Sequence, residues 1–370
     1  MLWPRKETPR PELKRGAVSI GVAGRSESSA IFFRLILKAV EVGIADRLFQ
    51  ETPFLGFQAK PNSNSIRVMA DAKFNLLQDL LRSYGSCLVA YSGGVDSAFL
   101  AKVAYDVLGE KSLAVIADSF SLPRRELEEA LQLAGEFGFP VRVIKTREFE
   151  NADYLSNPAN RCYFCKHELF SELEPLAREE GLAVIAYGEN ASDVGDFRPG
   201  ANAAKEFKVC APLKEAGLTK QNIRDLSASL GLPTAEKPQM ACLSSRIPYG
   251  EPVTPEKLRM IESAENALKD LGFYDVRVRH HEIGISASVK IAFSSSSNPA
   301  GPSLSRGGSP VTRHLARIEI GPNEISKLFD DERYIKIAET LKALGYQHVT
   351  LDLLGYRRGS LNTDLMVKTP

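Results

Sequence analysis

Cysteine is scarce in this sequence, with five residues in 370. An odd number of thiols scattered over a long chain does not make a disulfide framework, so the class of small stapled secreted domains is excluded. Long apolar runs are missing too, and no uninterrupted stretch reaches the length needed to span a bilayer. Nor does one sign of charge dominate: 47 basic and 46 acidic residues leave a net charge of +1. That removes any global pull toward nucleic acid or an anionic membrane surface. No Gly-Lys-Ser/Thr follows a glycine at Walker spacing, so a P-loop of that kind is absent. What remains is an ordinary globular composition, long enough for one large or two modest domains with proper cores. A reducing cytoplasm, no membrane and no nucleic acid are the expectations.

The most informative stretch is Leu88-Val89-Ala90-Tyr91-Ser92-Gly93-Gly94-Val95-Asp96-Ser97. Leu88 to Tyr91 reads as a short buried strand, and residues 98–108 as an amphipathic helix closed by Gly109. Ser92, Gly93 and Gly94 leave no bulk over the backbone between them. Successive N–H groups can therefore face an anion, with the helix dipole adding partial positive charge. The hydroxyls of Ser92 and Ser97 add donors for phosphate oxygens. Asp96 would repel phosphate unless it holds a metal ion or orients the loop, which points to magnesium.

Residues 1–68 fit poorly with the rest of the chain. Arg5, Lys6, Arg10, Lys14 and Arg15 outweigh Glu7 and Glu12, and Pro4, Pro9 and Pro11 oppose regular structure. The expectation is an extension outside the catalytic fold, with Met69 as the functional start. From Asp71 onward strand-like and helix-like segments alternate, with strands expected at 88–91, 112–118, 141–146 and 183–187. Helices are expected at 124–136 and 166–180. Continuous apolar strands alternating with helices imply a parallel sheet covered on both faces, over residues 69–235. Ligands then bind at the carboxyl ends of the strands. Asp118-Ser119 and Gly188-Glu189-Asn190 fall on that same edge.

Cys162-Tyr163-Phe164-Cys165 is a lone Cys-x-x-Cys. A structural zinc site needs two further ligands, and no second Cys-x-x-Cys exists; Cys210 lies elsewhere and His167 is nearby, which leaves a mixed site open. A thioredoxin-like setting is missing, which leaves a structural or oligomer-interface role as the preferred reading. Cys242 differs, because it stands in a loop bounded by Pro238 and Pro248 with Ser244, Ser245 and Arg246 beside it. A guanidinium close to a thiol raises its thiolate fraction, so this cysteine reads as reactive.

Residues 236–362 form a smaller α+β unit. Thr254 caps a helix with Pro255 in its first turn. In Asp275-Val276-Arg277-Val278-Arg279-His280-His281 the strict alternation places Arg277 and Arg279 on one face. That face suits a phosphate or carboxylate, or is simply solvated. Residues 284–313 carry Ser294-Ser295-Ser296-Ser297 and Arg306-Gly307-Gly308-Ser309-Pro310, a linker composition that reads as a disordered insertion into a β-hairpin. Residues 363–370 form a tail.

Together these pieces resemble the LarE family of sulfur-inserting PP-loop ATP pyrophosphatases. The matching motifs are SGGVDS at 92–97, ADSFSLPRRE at 117–126, RCYFCK at 161–166, YGENASD at 187–193 and ACLSSRIPYG at 241–250. VRVRHH at 276–281, HLARIEIG at 314–321 and DLLGYRRGSLN at 352–362 complete the set. The resemblance implies an α/β fold of the adenine nucleotide α-hydrolase kind, followed by the smaller domain. It also implies ATP and Mg2+ as cofactors, a small-molecule nucleotide as substrate and a homo-oligomer. The activity implied is adenylation of a carboxylate of pyridinium-3,5-biscarboxylic acid mononucleotide, followed by sulfur transfer from Cys242. On this resemblance Ser92, Gly93, Gly94, Asp96 and Ser97 bind ATP and its pyrophosphate, with Asp96 also a magnesium ligand. Asp118, Ser119, Gly188 and Asn190 lie near adenine and ribose, and Ser245, Arg246, Arg277 and Arg279 hold the substrate. A tRNA thiolase, an amide-forming synthetase and a non-catalytic nucleotide-binding regulator are the alternatives. Near-neutral charge speaks against the first, and no glutaminase-like nucleophile supports the second.

Overall fold

The computed structural model describes residues 63–193, 199–238, 241–285, 290–291, 304–305 and 311–357. The expected extension up to residue 62, the tail and most of the expected insertion lie outside these described residues. Helix α1 (Ser63–Tyr84) begins ahead of Met69, so a chain started at Met69 would lose the first turns of a helix. Leu77 and Leu81 of α1 are completely buried, as their spacing predicts.

The first sheet holds β1 (Cys87–Tyr91), β2 (Ser112–Asp118), β3 (Val141–Lys145) and β4 (Val184–Tyr187) in the order β3-β2-β1-β4. All of its pairings are parallel. Cys87, Leu88, Val89 and Tyr91 of the central strand are buried, which explains why β1 reads as a continuous apolar run. The edge strand β3 carries exposed Arg142 and Lys145, charges that discourage pairing with another chain.

Helix α2 (Val95–Leu108) follows β1, and α3 (Arg124–Phe137) follows β2. Five further helices follow among the described residues of this part, the first four being the single turn α4 (Ala152–Leu155), α5 (Arg161–Glu179), α6 (Gly200–Glu206) and α7 (Pro212–Glu215). Helix α8 (Lys220–Ser229) starts with a capping box between Thr219 and Asn222. One face of the sheet is covered by Leu77, Phe99, Leu133, Ile223 and their neighbours. The other is covered by Phe170, Leu173, Ala203 and Ala204. Each fully buried leucine, isoleucine or phenylalanine among them contributes about 1.5–3 kcal/mol.

The order of strands creates a switch point. From β1 the chain moves outward to β2 and β3, and then returns to place β4 on the other side of β1. The loops after β1 and β4 therefore diverge and leave a crevice at the carboxyl edge between them. Cys210 extends this sheet beside β4: its N–H donates to Ile185 O at 2.8 Å, and its carbonyl accepts from Tyr187 N at 3.0 Å.

The smaller part is built on α9 (Pro255–Asp270), where Thr254 Oγ1 accepts from Lys257 N at 3.3 Å. Strand β5 (Val276–Ile285) runs antiparallel to β8 (Val311–Ile320), in unbroken register from Val276 opposite Ile320 to Ile285 opposite Val311. Residues 286–310 leave and rejoin between these paired strands, and contain the two-residue strands β6 (Lys290–Ile291) and β7 (Leu304–Ser305), which pair with each other. The expected insertion thus overlaps the hairpin at both of its ends. Parallel to β8 lies β9 (His348–Leu351). Helices α9 and α10 (Arg333–Ala343) pack on the face that carries Val276, Val278, Ala316, Ile318 and Ile320. No helix among the described residues is long and apolar enough to cross a membrane. The architecture is α/β, a parallel sheet with a smaller mixed sheet.

Candidate active site

Two glycines shape the crevice. Gly93 takes φ +70°, and a Cβ there would stand 2.7 Å from Ala130 Cβ of α3. A Cβ on Gly188, after β4, would stand 2.9 Å from Ser97 N at the start of α2. Neither position tolerates a side chain without displacement of its surroundings. Ser97 Oγ accepts from Ser92 N at 3.1 Å, donates to Gly94 O at 3.1 Å and lies 3.0 Å from Ser92 Oγ. No side chain caps α2 at Gly94, so its first-turn N–H groups and dipole serve the cavity beside it. That cavity, about 290 Å³, is lined by Ser92, Gly94, Asp96, Ser97, Gly188 and Lys220, among others. Lys166 also lines it, with its ammonium 4.4 Å from the centre of the Tyr187 ring.

Asp96 is well partnered. Its Oδ2 pairs with Lys220 Nζ at 2.6 Å, and its Oδ1 accepts from Asn190 Nδ2 at 3.3 Å. The carboxylate thus ties the loop after β1 to the loop after β4 and to the start of α8. Asp118 and Ser119 sit farther along the edge and do not line this cavity. Arg124 pairs with Asp118 and donates to Ser119 O at 2.7 Å. A larger cavity of about 540 Å³ opens past Gly93, lined by Glu126, Glu129, Lys237 and Lys269. It takes none of the loop's hydroxyls, so the smaller cavity is the better phosphate site.

Cys242 precedes a short 3-10 turn, Leu243–Arg246, and is partly buried. Long-range hydrogen bonds hold this turn in place. Leu243 N donates to Ser121 O at 2.8 Å, in the segment after β2. Tyr154 Oη lies 2.7 Å from Ser244 Oγ, and Arg161 Nη1 donates to Ser244 O at 2.9 Å. Asn157 Nδ2 donates to Ile247 O, Pro248 O and Glu251 O, at 3.3, 2.7 and 3.0 Å. Through Ser121 the cysteine loop is attached to the carboxyl edge of the parallel sheet.

Helix α5 starts at Arg161 rather than at Lys166 as the sequence predicts, so the Cys-x-x-Cys occupies its first turn. The motif therefore does have a helix-terminal setting, which its sequence surroundings do not reveal. Both thiols lie within electrostatic reach of Cys242. Burial pushes the Cys165 thiol well up, and Cys242 pushes it further. Cys162 retains an exposed edge, yet desolvation and then Cys242 push its thiol up as well. Cys165 packs with Leu243 and Ile247 of the cysteine loop. Cys210 and His167 stay apart from this group: Cys210 lies with Cys87 and Tyr84, and His167 packs on Tyr163 and Phe207.

The arginines converge on the same loop, but through protein partners. Arg246 is completely buried; its Nε and Nη2 meet Glu265 Oε1 and Oε2 at 2.8 and 3.0 Å. Its Nη1 donates to Ala241 O at 2.5 Å and Cys242 O at 3.1 Å, which clamps the loop backbone around the cysteine. Burial alone would raise the Glu265 carboxyl, but Arg246, with Arg277 and the N–H of Val278 beside it, outweighs burial and holds the group below the usual range. Arg277 and Arg279 do share a face, and that face is buried rather than solvated, at 2% and 6% exposure. Arg279 donates to Ser245 O at 2.9 Å and to Glu319 at 2.8 Å. Arg277 donates to Val276 O at 2.8 Å and stacks over Tyr356 at 4.8 Å. Sequence reasoning assigns no role to Glu265, Glu319, Tyr154, Asn157, Arg161 or Lys220. Arg161 and Glu319 stand inside recognisable motifs, whereas Glu265 carries no local signal at all.

Residues 70–160 match the protein-family model described as NAD synthase. The LarE protein of Lactiplantibacillus plantarum, a pyridinium-3,5-bisthiocarboxylic acid mononucleotide synthase, is 32% identical over 293 residues. The match covers 78% of this chain and 92% of that protein. The chain belongs to the LarE family. An uncharacterised protein of Synechocystis is 40% identical over 294 residues, which is 80% of this chain and 98% of that one. More distantly, one of the subunits of a glutamine-hydrolysing GMP synthase from Archaeoglobus fulgidus is 25% identical over 211 residues, 52% of this chain and 67% of that protein. Beyond the nucleotide-binding part, then, the likeness to LarE proteins continues through the cysteine loop and the arginine strand. This LarE-family protein is an enzyme of ATP-dependent PP-loop chemistry.

Proposed function

We propose that this LarE-family enzyme is a sulfurtransferase in the biosynthesis of the nickel-pincer nucleotide cofactor. Its substrate is pyridinium-3,5-biscarboxylic acid mononucleotide, and Cys242 is the sulfur donor. A carboxylate is a poor acyl donor until its oxygen becomes part of a good leaving group. The carboxylate oxygen attacks the α-phosphorus of ATP, and pyrophosphate departs against the Ser92–Ser97 loop and the first turn of α2. The Cys242 thiolate then attacks the acyl carbon, and AMP leaves. Loss of the Cα proton of the resulting thioester and cleavage of its Cβ–S bond release a thiocarboxylate, with dehydroalanine left at position 242.

Asp96 would hold Mg2+, which takes one or two protein carboxylates and completes its shell with phosphate oxygens and water. Bound there, the ion would screen the charge of the departing pyrophosphate. Lys220 and Lys166 serve the same charge from the cavity wall. Asp118 and Ser119, at the end of β2, serve the nucleoside. Ser245, Arg246, Arg277 and Arg279 form the substrate side, with Arg246 acting through the loop it clamps.

One observation carries this reading: the hydrogen bond from Leu243 N to Ser121 O, 2.8 Å, which seats the cysteine loop on the edge that holds the phosphate loop. A thiol brought to an adenylating edge is what acyl transfer to sulfur requires. The test is to incubate the full chain with ATP, Mg2+ and the biscarboxylated pyridinium mononucleotide, and to follow pyrophosphate and intact mass. Loss of one hydrogen sulfide mapped to residue 242 is the expected result. Pyrophosphate without that loss would move the sulfur source elsewhere. Absence of both signals would overturn the assignment of substrate.

A further inference from the structure

On the helix-facing side of the hairpin, away from the cysteine loop, three side chains meet that the sulfur chemistry does not use. His280 and Glu282 alternate on β5, and His314 stands directly opposite Glu282 on β8. His280 is completely buried. Its Nε2 lies 3.1 Å from His314 Nδ1, and a Glu282 carboxylate oxygen lies within 4.8 Å of both ligand nitrogens. Among the described residues this is the group of histidine, cysteine and carboxylate side chains whose ligand atoms come close enough to share one ion.

The other nitrogen of His280, Nδ1, lies 3.2 Å from Tyr346 Oη. An outer hydrogen bond of this kind fixes the tautomer and ring orientation of a metal-binding imidazole. With the proton on Nδ1, the Nε2 lone pair is aimed at the space shared with His314 and Glu282. Lys257 pairs with Glu282 Oε1 at 3.0 Å and donates to Pro252 O at 2.8 Å. That ammonium balances the carboxylate, and the second carboxylate oxygen is the one to give to an ion. Glu251, whose Oε2 accepts from Glu282 N at 3.3 Å, adds negative charge beside it.

We propose that His280, Glu282 and His314 bind a first-row transition dication such as zinc. Two imidazoles and one carboxylate suit zinc, cobalt or nickel better than magnesium or calcium, which prefer all-oxygen shells. Three protein ligands leave a position for water. The ion joins β5 to β8 just before the chain departs into residues 286–310, so it acts as a clamp at the root of that excursion. The site is independent of ATP and of sulfur transfer.

The full chain, stripped with EDTA, is titrated with Co2+ and read by its visible d–d absorption, with Zn2+ as competitor. One equivalent is expected, without the near-ultraviolet band of thiolate ligation. His314→Ala, at a partly exposed position, should weaken binding by at least about 100-fold. Tyr346→Phe, which keeps the ring, should weaken it by about 10-fold. A thiolate band that survives His314→Ala and disappears in Cys162→Ser would overturn the site in favour of the cysteines. No saturable absorption would reduce it to a hydrogen-bonded histidine pair.

Discussion

The phosphate edge and the arginine strand are both polar sites, yet they are built in opposite ways. At the proposed phosphate edge the groups on offer are backbone N–H donors, short hydroxyls and the end of one helix, arranged by neighbours in sequence. Ser92, Gly94 and Ser97 bond among themselves. Around Cys242 the working groups are long charged side chains drawn from segments far apart. Arg246 reaches Glu265, and Arg279 reaches both Ser245 and Glu319. The first design needs small residues at the right spacing. The second needs every partner present, since an unpaired charge at such depth is costly. Local geometry therefore limits one site, and charge balance limits the other.

The strongest way to separate them is Cys242→Ser. Sulfur transfer should be lost entirely, with no loss of mass at residue 242, while pyrophosphate release from ATP continues. If that release fell as well, the two sites would be one coupled unit rather than two. Gly188→Ala should act in reverse. A methyl group 2.9 Å from Ser97 N must push the start of α2 aside. Misplacement on the ångström scale can cost about 100-fold in rate, so pyrophosphate release should fall by that order, with a fall in the urea midpoint that reports about 1–3 kcal/mol of overpacking.

Glu265→Gln probes the second design through stability. Removing one partner of a buried pair costs about 3–5 kcal/mol, which urea denaturation would register. The same pair sets a pH dependence. Glu265 is held below the ordinary carboxylate range, so its contribution is complete above about pH 4.3. It is lost as the pH falls through the lower folded value. The glutamine variant should lack that part of the acid transition. Smallest of all, Thr219→Ala removes the capping box of α8 and should cost about 1 kcal/mol. Because Lys220 comes next and pairs with Asp96 at 2.6 Å, a measurable rise in KM for ATP would show that this cap also supports the phosphate edge.

The phosphate edge is legible in the sequence because strand, glycine loop and helix are contiguous, and because a parallel sheet directs its ligands to the carboxyl edge. Gly188 is legible for the same reason, as the turn after a strand. Its contact with Ser97 is not, since that depends on β4 lying next to β1. The start of α5 is misread from sequence by five residues. With α5 begun at Arg161, the two thiols sit in a helix's first turn and beside Cys242, a proximity that no sequence spacing encodes. The arginine face is visible as alternation, but alternation cannot tell a solvated face from a buried one. Glu319 opposite Arg277 and the cysteine loop above Arg279 settle that question.

By itself, then, the sequence determined the alternating strand and helix pattern, the glycine loop between β1 and α2, and the singling out of Cys242 by its loop as the proposed sulfur donor. Each of these depends on residues within a few positions of one another, where backbone geometry follows directly from side-chain type. Tertiary structure alone decided which acid neutralises Arg246, which thiols attend Cys242, and that His280 meets His314 across a hairpin interrupted by residues 286–310. Those outcomes rest on contacts between distant segments, and only packing of the whole chain brings them together.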